Sequence, residues 1–136
     1  MKEFYLEILA PMKPVFKGQV SSVVVPGTNG EFQVLFNHAP LISSLTAGRL
    51  ILRINDNNEI YSVSGGSIEI SDNKVLVLVD SIEKASEIDV IRARKSAERA
   101  KERLSPSNRD KFDSTRAEAS LTRAINRIKI ANQYKS

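Results

Sequence analysis

Val75-Leu76-Val77-Leu78-Val79-Asp80-Ser81-Ile82-Glu83-Lys84-Ala85-Ser86-Glu87-Ile88-Asp89-Val90-Ile91-Arg92-Ala93 is where the chain changes its alphabet. Before Ser86, short apolar runs are separated by Gly, Pro, Asn and Asp, the pattern of strands joined by tight turns. From Ser86 to the end there is one proline, Pro106, no glycine, and a dense Ala, Arg, Lys and Glu usage that favours helix. Strands are therefore expected first and helices second. Charge follows the same break. Residues 1 to 85 carry 7 Lys and Arg against 9 Asp and Glu, while residues 86 to 136 carry 13 against 7. A nearly neutral β module, net −2, is thus joined to a helical arm of net +6, and such an arm calls for an acidic partner.

Working outward from the break, the first 85 residues suffice for a small β core, whereas the last fifty or so must pack on something. Phe4, Leu6 and Ile8 alternate with Tyr5, Glu7 and Leu9, Val20 to Val25 runs to Pro26-Gly27, and Leu50, Leu52 and Ile54 lead to a turn over Asn55 to Asn58. Ile60 to Ser64 stops at a turn over Gly65-Gly66. Ile68 and Ile70 follow, then a turn at Ser71-Asp72-Asn73 and the strand Lys74 to Val79. Because Val75 to Val79 is apolar at every position, it is expected to be covered on both faces. The fold class is α+β: an N-terminal antiparallel β-sandwich or flattened barrel over 1–85, then a two-helix antiparallel hairpin over 86–136.

In the hairpin, Ser86 followed by Asp89 reads as a capping-box-like helix start. Val90, Ala93, Ala97, Ala100 and Leu104 recur at spacings of 3, 4, 3 and 4, and Ala117, Leu121, Ala124, Ile128 and Ala131 at 4, 3, 4 and 3. Ser105-Pro106-Ser107-Asn108 interrupts the two seams. Alanine seams allow close approach but bury little apolar area, so the hairpin is expected to open readily.

The search for catalytic chemistry comes back negative. The chain has no cysteine, so disulfides and thiolate metal sites are excluded. His38 is the only histidine, with no carboxylates at ligand spacing, and it reads as a loop residue, so no metal is expected. Gly27-Thr28-Asn29-Gly30 lacks the lysine of a phosphate loop and reads as a turn. No nucleophile elbow and no acid and base pair are apparent. No apolar run approaches membrane-span length, and the opening residues, with glutamates among the apolar ones, are unlike a signal or transit peptide. A chain kept in the cytosol is expected, without direct membrane insertion.

The arginines are the remaining pattern. Asp89, Arg92, Ser96, Arg99 and Arg103 share a face beside the first seam, and Arg116, Ser120, Arg123 and Arg127 line an edge of the second. They read either as solvated faces or as an anion site built from guanidinium forks. A nucleic-acid arm or a coiled-coil adaptor would also use a basic helix pair. The first lacks a stacking platform, since Phe112 and Tyr134 are the arm's only aromatics, and neither accounts for residues 26 to 41.

Those residues, Pro26-Gly27-x-x-Gly30-Glu31-Phe32-x-Val34-Leu35-x-Asn37-His38-Ala39-Pro40-Leu41, followed by Gly48 and a helical hairpin, resemble the epsilon subunit of bacterial and plastid rotary F-type ATP synthases. The likeness covers the whole chain. Gln33 stands where the family often has glycine and Phe36 where it often has proline. The resemblance implies a non-catalytic central-stalk subunit with no required cofactor, coupling proton-driven rotation to ATP synthesis at the cytoplasmic face of the cell membrane. Its sandwich would bind the gamma subunit and the membrane rotor ring of c subunits, with Gly27, Gly30, Glu31 and His38 at the contact. Its hairpin would fold against the sandwich or extend into the catalytic alpha/beta head, blocking hydrolysis through Arg116, Arg123 and Arg127 on an acidic loop. The family's ATP-sensing motif, Ile/Leu-Asp-x-x-Arg-Ala, is matched by Ile88-Asp89-Val90-Ile91-Arg92-Ala93. The resemblance adds Glu83, Arg99, Arg123 and Arg127 to Ile88, Asp89, Arg92 and Ala93 as a regulatory ATP site.

Overall fold

A computed structural model describes residues 2–108, 111 and 113–135, so Phe112 lies outside the described residues. The chain divides into two compact units, the first ending at Lys84 and the second beginning at Ala85.

The first unit contains ten strands among the described residues: β1 (Phe4–Ala10), β2 (Lys13–Val20), β3 (Ser22–Gly27), β4 (Gly30–Val34), β5 (Leu41–Leu45), β6 (Gly48–Ile54), β7 (Asn57–Val63), β8 (Gly66–Ser71), β9 (Lys74–Val79) and β10 (Ile82–Lys84). They form one path, β10-β7-β6-β3-β5-β8-β9-β1-β2, with β4 paired to β3 off it. The path bends back until β2 approaches β6, which makes the flattened barrel. Alternation along the strands sets the inside. Phe4, Leu6 and Ile8 of β1 are buried with Val23 and Val25 of β3, Leu50 and Leu52 of β6, Ile68 and Ile70 of β8, and Val75, Val77 and Val79 of β9.

Two hairpins owe their register to residues that tolerate a left-handed backbone. Asn55 and Asp56, at φ 49° and 67°, join Ile54 to Asn57, and Asp72 and Asn73, at φ 51° and 59°, join Ser71 to Lys74. Both are two-residue turns of the kind that matches strand twist. The first is shorter than the expected turn over 55–58, since Asn57 and Asn58 already belong to β7.

Several expectations need correction. The unit is not wholly antiparallel: β1 runs parallel to β9, from Tyr5 opposite Lys74 to Leu9 opposite Leu78. This is possible because β1 and β9 are far apart in sequence and need no tight turn between them. The run Val20 to Val25 is two strands, not one, divided at Ser21, whose N–H and Oγ both donate to the Arg53 carbonyl at 2.9 and 3.1 Å. Gly66 is not in a turn but opens β8. At φ 146° it lies so close to β9 that a Cβ would run into the Leu78 carbonyl oxygen. The all-apolar run Val75 to Val79 of β9 is closed on one face only, for Leu78 on the other face is 43% exposed.

The second unit opens with a single 3-10 turn over Ala85–Glu87, then α1 (Val90–Arg103), a second such turn over Pro106–Asn108, and α2 (Ser114–Lys135). The helix start differs from the expected capping box. Ser86 belongs to the 3-10 turn, and Asp89 is the N-cap, its Oδ1 accepting from the Arg92 N–H at 3.0 Å. Asp113 does the same for α2, accepting from the Arg116 N–H at 3.2 Å. The helices pack on each other, and the buried positions of α1 are Ala93, Ala97 and Ala100. On α2, Ala117, Ala124 and Ala131 are buried as the seam requires, Leu121 and Ile128 are only half-buried, and Ile130 is buried outside the expected seam.

Candidate functional site

In the helical unit, Asp89 spends a carboxylate oxygen on the first turn of α1, which fixes the backbone of Arg92 and leaves that side chain exposed. Ile88 and Ala93 of the same motif are buried, so they contribute shape and packing to the helix start. Arg99 and Arg123 share one local device. Arg99 Nη2 donates to Ser96 Oγ at 3.2 Å on α1, and Arg123 Nη2 donates to Ser120 Oγ at 3.2 Å on α2. Three-residue spacing puts each hydroxyl on the same side of the helix as its guanidinium, so each fork is steadied from behind while remaining exposed. Arg127 is half-buried, four residues beyond Arg123, and Arg116 is exposed in the first turn of α2. The basic groups therefore flank the alanine positions of both helices. Glu83 sits in the first unit, on β10 opposite Ser62.

In the β unit, the loop end expected to dock is tightly tied. Gly27 and Gly30 face each other across the β3–β4 hairpin, with Thr28 and Asn29 exposed at its tip. Thr28 N–H donates to the Ser44 carbonyl at 3.2 Å, and the Thr28 and Ser44 hydroxyls lie 2.6 Å apart. Arg49 of β6 grips Glu31 of β4 with a two-pronged pair, Nε to Oε2 at 2.8 Å and Nη2 to Oε1 at 2.9 Å. That hydrogen bond pushes the Arg49 pKa above its ordinary value.

His38 is not at this end: it is half-buried in the loop after β4, at the opposite end of that strand from Gly30, with Nδ1 2.7 Å from the Ala39 carbonyl oxygen. Its neighbour Asn37, at φ 63°, is clasped by Asn73: Asn37 N–H donates to Asn73 Oδ1 at 2.6 Å, and Asn73 Nδ2 donates to Asn37 Oδ1 at 3.0 Å. Gln33 is accommodated in β4 opposite Val24, and Phe36 lies under the Lys2 ammonium, 5.1 Å from the ring centre. Ser44, Arg49 and Asn73 carry no motif of their own. Only the strand register, which brings β6 and β5 beside the hairpin and the β8–β9 turn beside the loop after β4, reveals them.

Among the described residues there is no group of three or more His, Cys, Asp or Glu placed to hold a metal ion. No described helix is long and apolar enough to cross a membrane.

A β-sandwich followed by an arginine-edged helix pair is the two-domain make-up of the delta and epsilon chains of ATP synthases. The family profile "ATP synthase, Delta/Epsilon chain, beta-sandwich domain" matches residues 3–85, and "ATP synthase, Delta/Epsilon chain, long alpha-helix domain" matches residues 86–132. The ATP synthase epsilon chain of Nitratidesulfovibrio vulgaris is 45% identical over 95% of this chain and 96% of its own length. That of Desulfitobacterium hafniense is 43% identical over 94% and 96%. Among solved structures, a chain of the Euglena gracilis mitochondrial ATP synthase superposes with a TM-score of 0.79 at 20% identity, covering 88% of this chain and 76% of that one. The chain belongs to the ATP synthase delta/epsilon family, and its near full-length relatives are epsilon chains. Like them it is a non-catalytic subunit, which displaces both the nucleic-acid arm and the unrelated coiled-coil adaptor.

Proposed function

We propose that the chain is a central-stalk subunit that couples proton-driven rotation to ATP synthesis and restrains ATP hydrolysis through its helical arm. Its β-sandwich docks on the gamma subunit and the ring of c subunits through His38 in the loop after β4 and, at the opposite end of that strand, through the hairpin end that holds Gly27, Gly30 and Glu31. It is held at the cytoplasmic face of the membrane only through that complex. The rigid bracing of the hairpin end supports the reading, because a docking surface ordered in advance loses less entropy on binding.

The arm carries the regulatory half. The observation that supports it best is the pair of serine-steadied arginines, Arg99 and Arg123, one on each helix of a hairpin whose seam is mostly alanine. A polyanion that engages Arg92 and Arg99 on α1 and Arg123 and Arg127 on α2 binds the closed hairpin better than an open one. ATP as a regulatory ligand, with no chemistry done on it, shifts the arm by that difference in affinity. Extended, the arm places Arg116, Arg123 and Arg127 against acidic groups of the alpha/beta head.

The test is limited proteolysis of the full chain with and without millimolar ATP. ATP should protect the hairpin, and Arg92→Ala or Arg127→Ala should abolish the protection while the β unit stays folded. Calorimetry without a binding signal, or equal protection in both variants, would return the arginines to the role of a solvated basic face.

A further inference from the structure

Glu31 faces, from across β3, a gap in the backbone ladder between β3 and β6. Strand β3 pairs with β6 only from Ser22 to Val24, then turns to meet β5 at Gly27. Pro26 lies in that turn-off and has no N–H to give. Gly48 packs so closely on Pro26 that a side chain at position 48 would collide with the proline ring. The close pass brings Arg49 beside the hairpin, and its guanidinium reaches Glu31, the residue opposite Pro26, using both carboxylate oxygens. Two further ties at this place are main-chain or hydroxyl contacts, Thr46 N–H to the Pro26 carbonyl at 2.9 Å and Thr28 to Ser44.

We infer that Arg49 is a positioning residue: it turns the Glu31 carboxylate inward as a brace for the β3–β4 hairpin, so that a partner meets the exposed tip at Thr28, Asn29 and Gly30 and not the Glu31 charge. The inference rests on the docking surface proposed above and changes what does the docking there. A fork-to-fork pair fixes direction as well as distance, which a single hydrogen bond at the gap would not do. The two side chains are about 40% exposed, so the brace steadies a local geometry without being needed for the fold.

Charge exchange tests it, with full-length Glu31→Arg, Arg49→Glu and the double variant rebound to ATP synthase stripped of this subunit. Each single variant sets like charges together and is expected to weaken rebinding by about fivefold, the factor matching the upper end for half-exposed pairs. The double variant restores the pair in reverse and should return affinity to within about twofold of the unaltered chain. A double variant as weak as Glu31→Arg alone would overturn the inference, because it would mean that the carboxylate itself meets the partner. Amide exchange at Asn29 and Gly30 in the free chain gives a readout that does not depend on docking. Exchange should quicken in each single variant and recover in the double, and failure to recover would also overturn the brace. If the unaltered chain does not rebind, the docking assignment fails, and the exchange result alone decides whether the brace exists.

Discussion

The β unit and the helical unit bury different things, and that difference sets what each can do. The β unit closes over Phe4, Leu6, Ile8, Leu50, Leu52 and Ile68, all at most 2% exposed. Helix α1 buries only Ala93, Ala97 and Ala100. At about 25 cal/mol per Å² of apolar surface, a methyl seam yields far less than a core of Leu, Ile and Phe. Local devices make up part of the deficit, namely the caps at Asp89 and Asp113 and the serine-steadied arginines at Arg99 and Arg123. One unit is thus built to hold its shape and the other to change it at modest cost, as the proposed docking body and mobile arm require.

The contrast breaks most visibly in the β core. Leu52→Ala is expected to destabilise the β unit by about 2–5 kcal/mol, measured by urea denaturation followed at a β-sensitive wavelength. Gly66→Ala should come next, at about 1–3 kcal/mol, because the backbone is left-handed there and the Leu78 carbonyl occupies the space a Cβ would take. In the helical unit, Asp89→Ala should remove about 1 kcal/mol from α1 by taking away its cap, lowering helical ellipticity on heating without moving the β transition. Ser96→Ala and Ser120→Ala sit at the small end, each expected to shift stability by less than about 0.5 kcal/mol. A larger loss at either serine would make these hydroxyls part of the hairpin's framework and not only supports for Arg99 and Arg123.

Much of this division was legible in the residues. The alternation of Phe4, Leu6 and Ile8, the Asn and Asp turns, and the 3 and 4 spacing of the alanines each report a local period that packing then obeys. What could not be read depended on distant register. The parallel pairing of β1 with β9 involves strands some seventy positions apart, and no local pattern announces it. Lys13–Val20 and Leu41–Leu45 were not evident as strands, because Pro14, Gly18 and the two serines Ser43 and Ser44 blur their alternation. The helix start was misplaced for a related reason. Ser86 and Asp89 are both good caps, and only the 3-10 turn over Ala85–Glu87 decides between them. Glu31 and His38 stood out through the resemblance, whereas Arg49 and Ser44, which hold the β3–β4 hairpin, and Asn73, which holds the His38 loop at the far end of β4, became visible only once the strands were paired.

Native-state hydrogen exchange on the full chain, across a series of urea concentrations below the unfolding transition, tests the contrast most directly. Amides of α1 and α2 should exchange through an opening of lower free energy than those of β1, β3, β6 and β9, and Leu52→Ala should speed the β amides while leaving the helical ones unchanged. Equal opening free energies in the two units, falling together in Leu52→Ala, would show a single cooperative body and contradict the assignment of a stable docking unit and a separately opening arm.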